Sequence, residues 1–317
     1  MNSSAGPSHY IAFRFHDIIT ALLILNYILV RRPDFLFTLG AVFIFFLVHG
    51  IINWLIVSFA FQLFHPSPGI KAYNFLIFFG MNEKYFGIHR SQGLFWEPGV
   101  FQIYLNVALH FFLFYKRQKF WAGLALVSVI LTLSTTGIVI AGLQMAYAVI
   151  RGRGSPVNKA LIILLSLPLL IVYVEFASTV VTDKISGDRA GSYWSRSFDT
   201  RNGLAIALDN PFGIGFDPSV YQAIAKQNIF NIQTNIVTDR GNTNGIVMLI
   251  YSTGWFWAFI FLTSTYLQKI FPEHRLLFFL VLFLSMSSSP LTFSPFFFLF
   301  TLSGFVKSGP LLRPPSR

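Results

Sequence analysis

Cysteine is absent from the 317 residues, which excludes a disulfide framework and any thiolate-held metal. Charge is scarce as well: 11% of the residues are Asp, Glu, Lys or Arg, against about 25% in an ordinary soluble domain. No HExxH, Walker A or EF-hand pattern occurs, which removes the commonest zinc, nucleotide and calcium chemistries. The threonine–glycine pieces do not make the carbonyl filter of a potassium channel. The first ten residues, MNSSAGPSHY, lack the basic start of a cleavable signal peptide, so insertion is expected to depend on the spans themselves.

What is present is apolar. Hydrophobic residues make up 54% of the chain and the mean hydropathy is +0.63. Residues 35–64 and 120–150 contain no charged side chain, and about 20 apolar residues suffice to cross a bilayer core. The sequence predicts an integral, all-α membrane helical bundle, with residues 1–317 forming one membrane domain.

The net charge of +11 does not point to nucleic acid. Arg31, Arg32, Lys116, Arg117, Lys119, Arg151, Arg153, Lys159, Lys269, Arg275, Lys307, Arg313 and Arg317 sit between apolar runs, with only Asp34 and Glu273 among them. Those thirteen basic and two acidic residues carry the whole excess, and the remaining ten of each sign cancel. By the positive-inside rule they mark the cytoplasmic side. The simplest route then has about nine passes, within a range of seven to ten, and a cytoplasmic C-terminus. Runs 120–150 and 276–305 are each expected to cross twice, broken at Ser134–Gly137 and Ser287–Pro290; the alternative for 120–150 is a single span that places Arg151 and Arg153 outside. Two segments fall outside: 66–98, and a large loop at 180–243.

Chemistry on the external side must come from those two segments. In HRSQGLFWEPGVF, Pro98 suits a first helical position, and Glu97 just ahead of it meets the helix's positive end. Trp96 and Phe95 fit an interfacial aromatic belt. Gln102, Asn106 and His110 recur every fourth residue, on one helix face. Asn106 and His110 are expected to bond between helices, and Gln102, one turn below Glu97, to line a site. The large loop balances six basic residues against six acids between 183 and 240, as a solvated loop does. Within it, residues 200–208 read as a short amphipathic helix stopped by Asn210-Pro211. The Gly213-x-Gly215 turn follows no strand, so dinucleotide binding is rejected.

The order of these pieces resembles the O-antigen ligase and Wzy-type O-antigen polymerase superfamily. An external R-x-x-G-x-F-x-E-P-G opens a helix, an apolar run is broken by STTG, and arginines precede D-N-P-F-G-I-G-F. A final N-x-N-G then enters a helix. The resemblance covers roughly residues 85–270. It implies a GT-C-like fold in a bacterial inner membrane, with the active site facing the periplasm. It also implies transfer of a glycan from undecaprenyl pyrophosphate to a sugar hydroxyl, without metal or cofactor. On motif position, Arg90 and Arg196 correspond to the pyrophosphate clamp, with Arg201 and Arg189 as further ligands of the loop. Glu97 is the carboxylate near the acceptor, helped by Gln102, and Asn244 opens the last motif helix. Implied partners are the lipid-linked oligosaccharide, membrane lipid, a chain-length regulator and a flippase.

Thr243 stands where ligases of that superfamily carry a histidine, and residues 183–240 contain no histidine. The E-P-G form of the first motif also favours a polymerase over a ligase. A chain shorter than is usual in the family is expected to be a compact member or to lack amino-terminal helices. A transporter of the same lipid-linked sugars is the reading from another class. It calls for internal repeats and site groups on both faces, and neither is evident here.

Overall fold

The computed structural model describes residues 7–66, 73–81, 84–85, 87–151, 190–227 and 242–307. The predicted outward span at 160–178 and parts of the large loop lie outside them. The described chain is mostly helical. Four helices are long and apolar enough to cross a membrane: Ile11–Val30, Phe35–Phe59, Pro98–Tyr115 and Gly245–Tyr266. Side chains such as Phe37, Phe59, Phe256 and Phe259 stand more than 60% exposed on them, as lipid-facing residues do. The chain divides into two compact units. One combines Met1–Asn26, Arg153–Lys269 and Met286–Lys307, and the other Tyr27–Gly152, Ile270–Ser285 and Ser308–Arg317.

The second unit is built on α2 (Arg32–Phe59), α3 (Pro98–His110), α4 (Lys119–Leu131) and α5 (Thr135–Arg151); α1 (Pro7–Val30) enters it only with its last residues. Helix α3 is its centre, packed on α2, α4 and α5 and buried at eleven of its thirteen residues. Pro98 opens it, because its fixed φ suits the first turn and its missing N–H is not needed there. At its far end the winding widens into a π-helical turn over Phe111–Tyr115. Arg117, in the left-handed region at φ 54°, follows that turn. The run 120–150 is two helices, as the polar break predicts.

The stretch between α2 and α3 departs from the all-α expectation. Strands β1 (His65–Pro66), β2 (Tyr73–Phe75) and β3 (Phe78–Gly80) form an antiparallel sheet, and β4 (Lys84–Tyr85) pairs with β5 (Ile88–His89). Aromatic residues favour such pleated, half-buried surfaces. The amide of Asn53, on α2, pairs with both the N–H and the C=O of Phe79 at 3.1 and 2.9 Å. A polar side chain of an apolar helix thus completes the sheet edge.

The first unit is built on α6 (Ala190–Asp209), α7 (Pro218–Gln227), α8 (Gly245–Tyr266) and α10 (Pro295–Gly304), with most of α1. Helix α9 (Arg275–Ser287) precedes α10 across the Ser287–Pro290 break and belongs mainly to the other unit. Helix α8 packs on α6 and α10. It is broken at Gly254, whose φ of 83° and ψ of 164° are not helical.

The D-N-P-F-G-I-G-F segment repairs that break. The N–H groups of Ile214 and Gly215 donate to the carbonyls of Tyr251 and Ser252 at 2.8 and 3.1 Å, and the N–H of Trp255 donates to Pro211 at 3.1 Å. Backbone groups freed by the kink are satisfied by the loop, as buried main-chain groups must be.

Candidate functional site

In the α3 unit, the break that ends α4 and the segment that carries Arg90 are partners. The last carbonyls of a helix have no partner within it. Here the Leu131 carbonyl accepts from the Ser91 N–H at 2.8 Å, and the Thr132 carbonyl accepts from Arg90 Nε at 3.0 Å. A helix C-terminus carries partial negative charge and favours a cation. One edge of the Arg90 guanidinium is therefore fixed, and the residue is only partly buried. The segment is also tied to α2: Trp54 Nε1 donates to the His89 carbonyl at 2.8 Å, and Ser91 Oγ to the Gly50 carbonyl at 3.2 Å.

Glu97 occupies the position just before α3, with extended backbone, and its carbonyl accepts from the N–H groups of Val100 and Phe101. Its side chain makes no capping hydrogen bond. Trp96 is exposed, as expected for a belt residue.

Gln102 does not line a solvent-filled space. It is fully buried, donates to the Gly99 carbonyl at 3.1 Å and accepts from Asn106 Nδ2 at 2.9 Å. Asn106 also donates to the Gly137 carbonyl at 3.1 Å, and Gln144 Nε2 donates to Asn106 Oδ1 at 3.1 Å. The polar stripe on α3 knits it to α5. His110 packs among the rings of Phe114, Phe271 and Phe278. The helix-bonding expectation holds for Asn106, whereas the bonds of Gln102 stay within α3 and orient Asn106.

Two histidines outside the spans stay neutral in the fold. Burial lowers the His89 pKa, and Lys84 adds to the effect. Burial also lowers that of His274; Glu273 opposes this, while Arg151 and Arg117 reinforce it. His274 Nδ1 lies 2.9 Å from the Tyr147 hydroxyl. A folded pKa below the unfolded value of about 6.5 means the unfolded chain binds more protons as pH falls past that value. Stability is full above pH of about 6.5 and declines below it, down to the folded pKa values. The thermal midpoint should fall between pH 7.5 and 5.5, and His274→Asn should flatten the profile. Asparagine tolerates the left-handed backbone found there, at φ 54°. An equally steep profile in the variant would show that His274 does not contribute.

In the α8 unit, the N-x-N-G segment is a worked helix start. Asn244 Oδ1 accepts from the N–H groups of Ile246 and Val247 at 3.1 and 3.2 Å, the usual geometry of an asparagine cap. Its amide reaches Thr200 Oγ1 on α6 at 3.5 Å. Thr243 gives both its N–H and its hydroxyl to Asp199 Oδ2, at 3.2 and 3.0 Å. Asn242 donates to the Asp199 carbonyl, and its Oδ1 accepts from the Asn244 N–H at 2.8 Å. Burial and then the Asp199 carboxylate hold the Tyr221 phenol above its ordinary pKa, so it stays protonated.

Asp199 is therefore the organiser of this cluster, and sequence reading passed over it. So it did over Arg14 and Asp17, an ion pair at 3.5 Å inside the first long apolar helix. Opposite charges three residues apart within a span were the available signal.

The candidates fall into two sets. Arg90, Glu97 and Gln102 belong to the α3 unit; Arg196, Arg201 and Asn244 belong to the other. Arg201 is exposed on α6. Arg196 is a residue of the same helix, one turn ahead of Asp199, and its side chain lies outside the described ones. Arg189 lies outside the described residues altogether. Among the described residues, no group of three His, Asp or Glu is placed to hold a metal ion. Comparison of the chain with protein-family models, with curated proteins and with solved structures finds no match.

Proposed function

We propose that this chain is a polymerase-type glycosyltransferase of the bacterial inner membrane, working on its outer face in a nine-pass, GT-C-like bundle. It transfers an oligosaccharide from undecaprenyl pyrophosphate to a hydroxyl of another lipid-linked repeat unit. The observation that carries this reading is the setting of Arg90. Its guanidinium is oriented through Nε by the Thr132 carbonyl, in the same segment that delivers Glu97 to the start of α3. A planar guanidinium has the fork geometry that matches phosphate oxygens.

In the reaction, Arg90 stabilises the pyrophosphate as negative charge develops on it, the task that the family resemblance also gives to Arg196, Arg201 and Arg189 of the loop. Glu97 takes the proton of the attacking hydroxyl. The bond from the anomeric carbon to the pyrophosphate oxygen breaks as the new glycosidic bond forms. Gln102 acts indirectly, by orienting the Asn106 amide that joins α3 to α5, and Asn244 by fixing where α8 begins. A flippase supplies the lipid-linked unit, and a chain-length regulator acts on the product.

The test is the surface-glycan ladder of cells lacking the gene, complemented with wild type, Arg90→Ala, Arg90→Lys or Arg196→Ala. Wild type should restore the ladder, and each variant should leave single repeat units on the cell-surface acceptor. Lysine should fail because a point charge does not reproduce the fork. Long chains stranded on the lipid carrier in the knockout would indicate a ligase instead. A normal ladder in every strain would refute glycan transfer.

A further inference from the structure

In the α8 unit, the start of α1 and the first half of α8 border a pocket of about 150 Å³. Arg14, Asp217, Tyr221, Asn242 and Ser252 supply its polar groups. Two ring pairs line it as well. Tyr221 stacks on Tyr251 with centroids 4.6 Å apart, and Phe216 meets Phe293 edge-on at 5.1 Å. The volume is below the roughly 300 Å³ at which pockets for drug-sized ligands begin. It suits one ring.

Charge decides which kind of ring. Among the described lining residues Arg14 is the cation, and it is already 3.5 Å from Asp17, with its guanidinium over the Phe293 face at 5.1 Å. Asp217 faces the same space, and the Asp199 carboxylate lies next to Asn242 through Thr243. Among the described lining residues, the partnered cation Arg14 and the carboxylate of Asp217 leave no net positive charge to gather a pyrophosphate. Sugar hydroxyls are served well: a carboxylate accepts, an amide and a guanidinium donate, and a serine hydroxyl does either. The C–H face of a pyranose is apolar and packs on aromatic rings.

We infer that this pocket holds one neutral sugar ring. The assignment of that ring to a lipid-linked repeat unit rests on the glycan-transfer reading, whereas its chemistry rests on the pocket alone. Asp217 is the residue to change. Its Oδ1 accepts from the N–H and hydroxyl of Ser219 at 2.8 and 2.7 Å, so Asp217→Asn keeps the acceptor that begins α7 and removes only the charge.

Saturation-transfer NMR on the purified full chain in nanodiscs tests the inference. The probes are the methyl glycosides of glucose, galactose, mannose and N-acetylglucosamine, with inorganic pyrophosphate as competitor. At least one glycoside should bind, and pyrophosphate should not displace it. Asp217→Asn and Phe216→Ala should each weaken binding about tenfold, as expected for loss of a charged hydrogen-bond partner or of a stacking ring, with helix content by circular dichroism unchanged. Absence of binding by every glycoside, displacement by pyrophosphate, or wild-type affinity in both variants would overturn it. Binding that behaves as expected beside a normal Arg90→Ala ladder would leave the pocket standing and remove the glycan-transfer reading.

Discussion

Gly254→Ala is expected to lower the thermal midpoint of the purified protein by on the order of 10 °C. At φ 83° and ψ 164° the residue sits in a region open essentially to glycine alone, and holding another residue there costs about 1–3 kcal/mol. An added Cβ would also stand 2.6 Å from the Pro211 carbonyl oxygen and from the Phe212 carbonyl carbon. Those are backbone atoms, fixed by the hydrogen bonds that join residues 211–215 to α8. Overpacking of that kind adds roughly 1–3 kcal/mol, and about 2–4 °C follows from each kcal/mol in a chain segment of this size. Gly213 faces the same contact from the other side, at φ 86° and with its own Cβ position 2.6 Å from the Gly254 nitrogen, so Gly213→Ala should behave alike. Gly142→Ala is the control: its Cβ meets nothing within 4 Å, and alanine in mid-helix should be neutral or slightly stabilising. Equal midpoints for all three variants would show that the loop is not docked on α8 in this way.

Asn106→Leu should cost about 2–3 kcal/mol. The branching and heavy-atom count are kept, but the Gln102 amide oxygen and the Gly137 carbonyl lose their donor, and Gln144 loses its acceptor. Single interhelical bonds in membrane proteins average well under 1 kcal/mol, and the larger figure comes from stranding several buried groups at once. That account makes a second, sharper demand. Replacing Gln102 and Gln144 by methionine together with Asn106→Leu should recover most of the loss, because the two stranded side-chain amides are then gone and only the Gly137 carbonyl still lacks its Asn106 donor. Thermal melts in one detergent suffice. A triple variant no better than Asn106→Leu would place the cost in shape instead.

The long apolar runs made α1, α2, α3 and α8 readable, since water rarely tolerates a helix that stays hydrophobic over 18 or more residues and a bilayer requires one. The breaks within 120–150 and 276–305 were readable too, because small polar residues and proline interrupt apolar periodicity locally. The two small sheets between α2 and α3 were not. Each strand has only two or three residues, and their pairing depends on contacts such as Asn53 with Phe79, 26 residues apart. Asp199 was hidden for the same reason: its partners are 43 and 44 residues away. Nothing in S-F-D-T marks it among twelve acids. Arg90, Glu97 and Asn244 were visible because each belongs to a short motif whose local conformation limits the choice of residue.

The wide turn at Phe111–Tyr115 can be seen as a helix containing one residue too many. Such a turn absorbs an insertion by bulging locally, so the helix before it and the chain after it keep their original rotational phases. Along α3, that separates the history of two ends of one element. The upstream stripe of Gln102 and Asn106 can drift or stay without disturbing the ring cluster that Phe111 and Tyr115 form with Phe271. Loss of one residue within those five would return a plain helix at little cost, whereas the same loss a turn earlier would swing every downstream side chain by about 100°, the angle per residue of a 3.6-fold helix. The lineage of this chain should therefore tolerate length variation in the turn just after α3 and not within α3 itself.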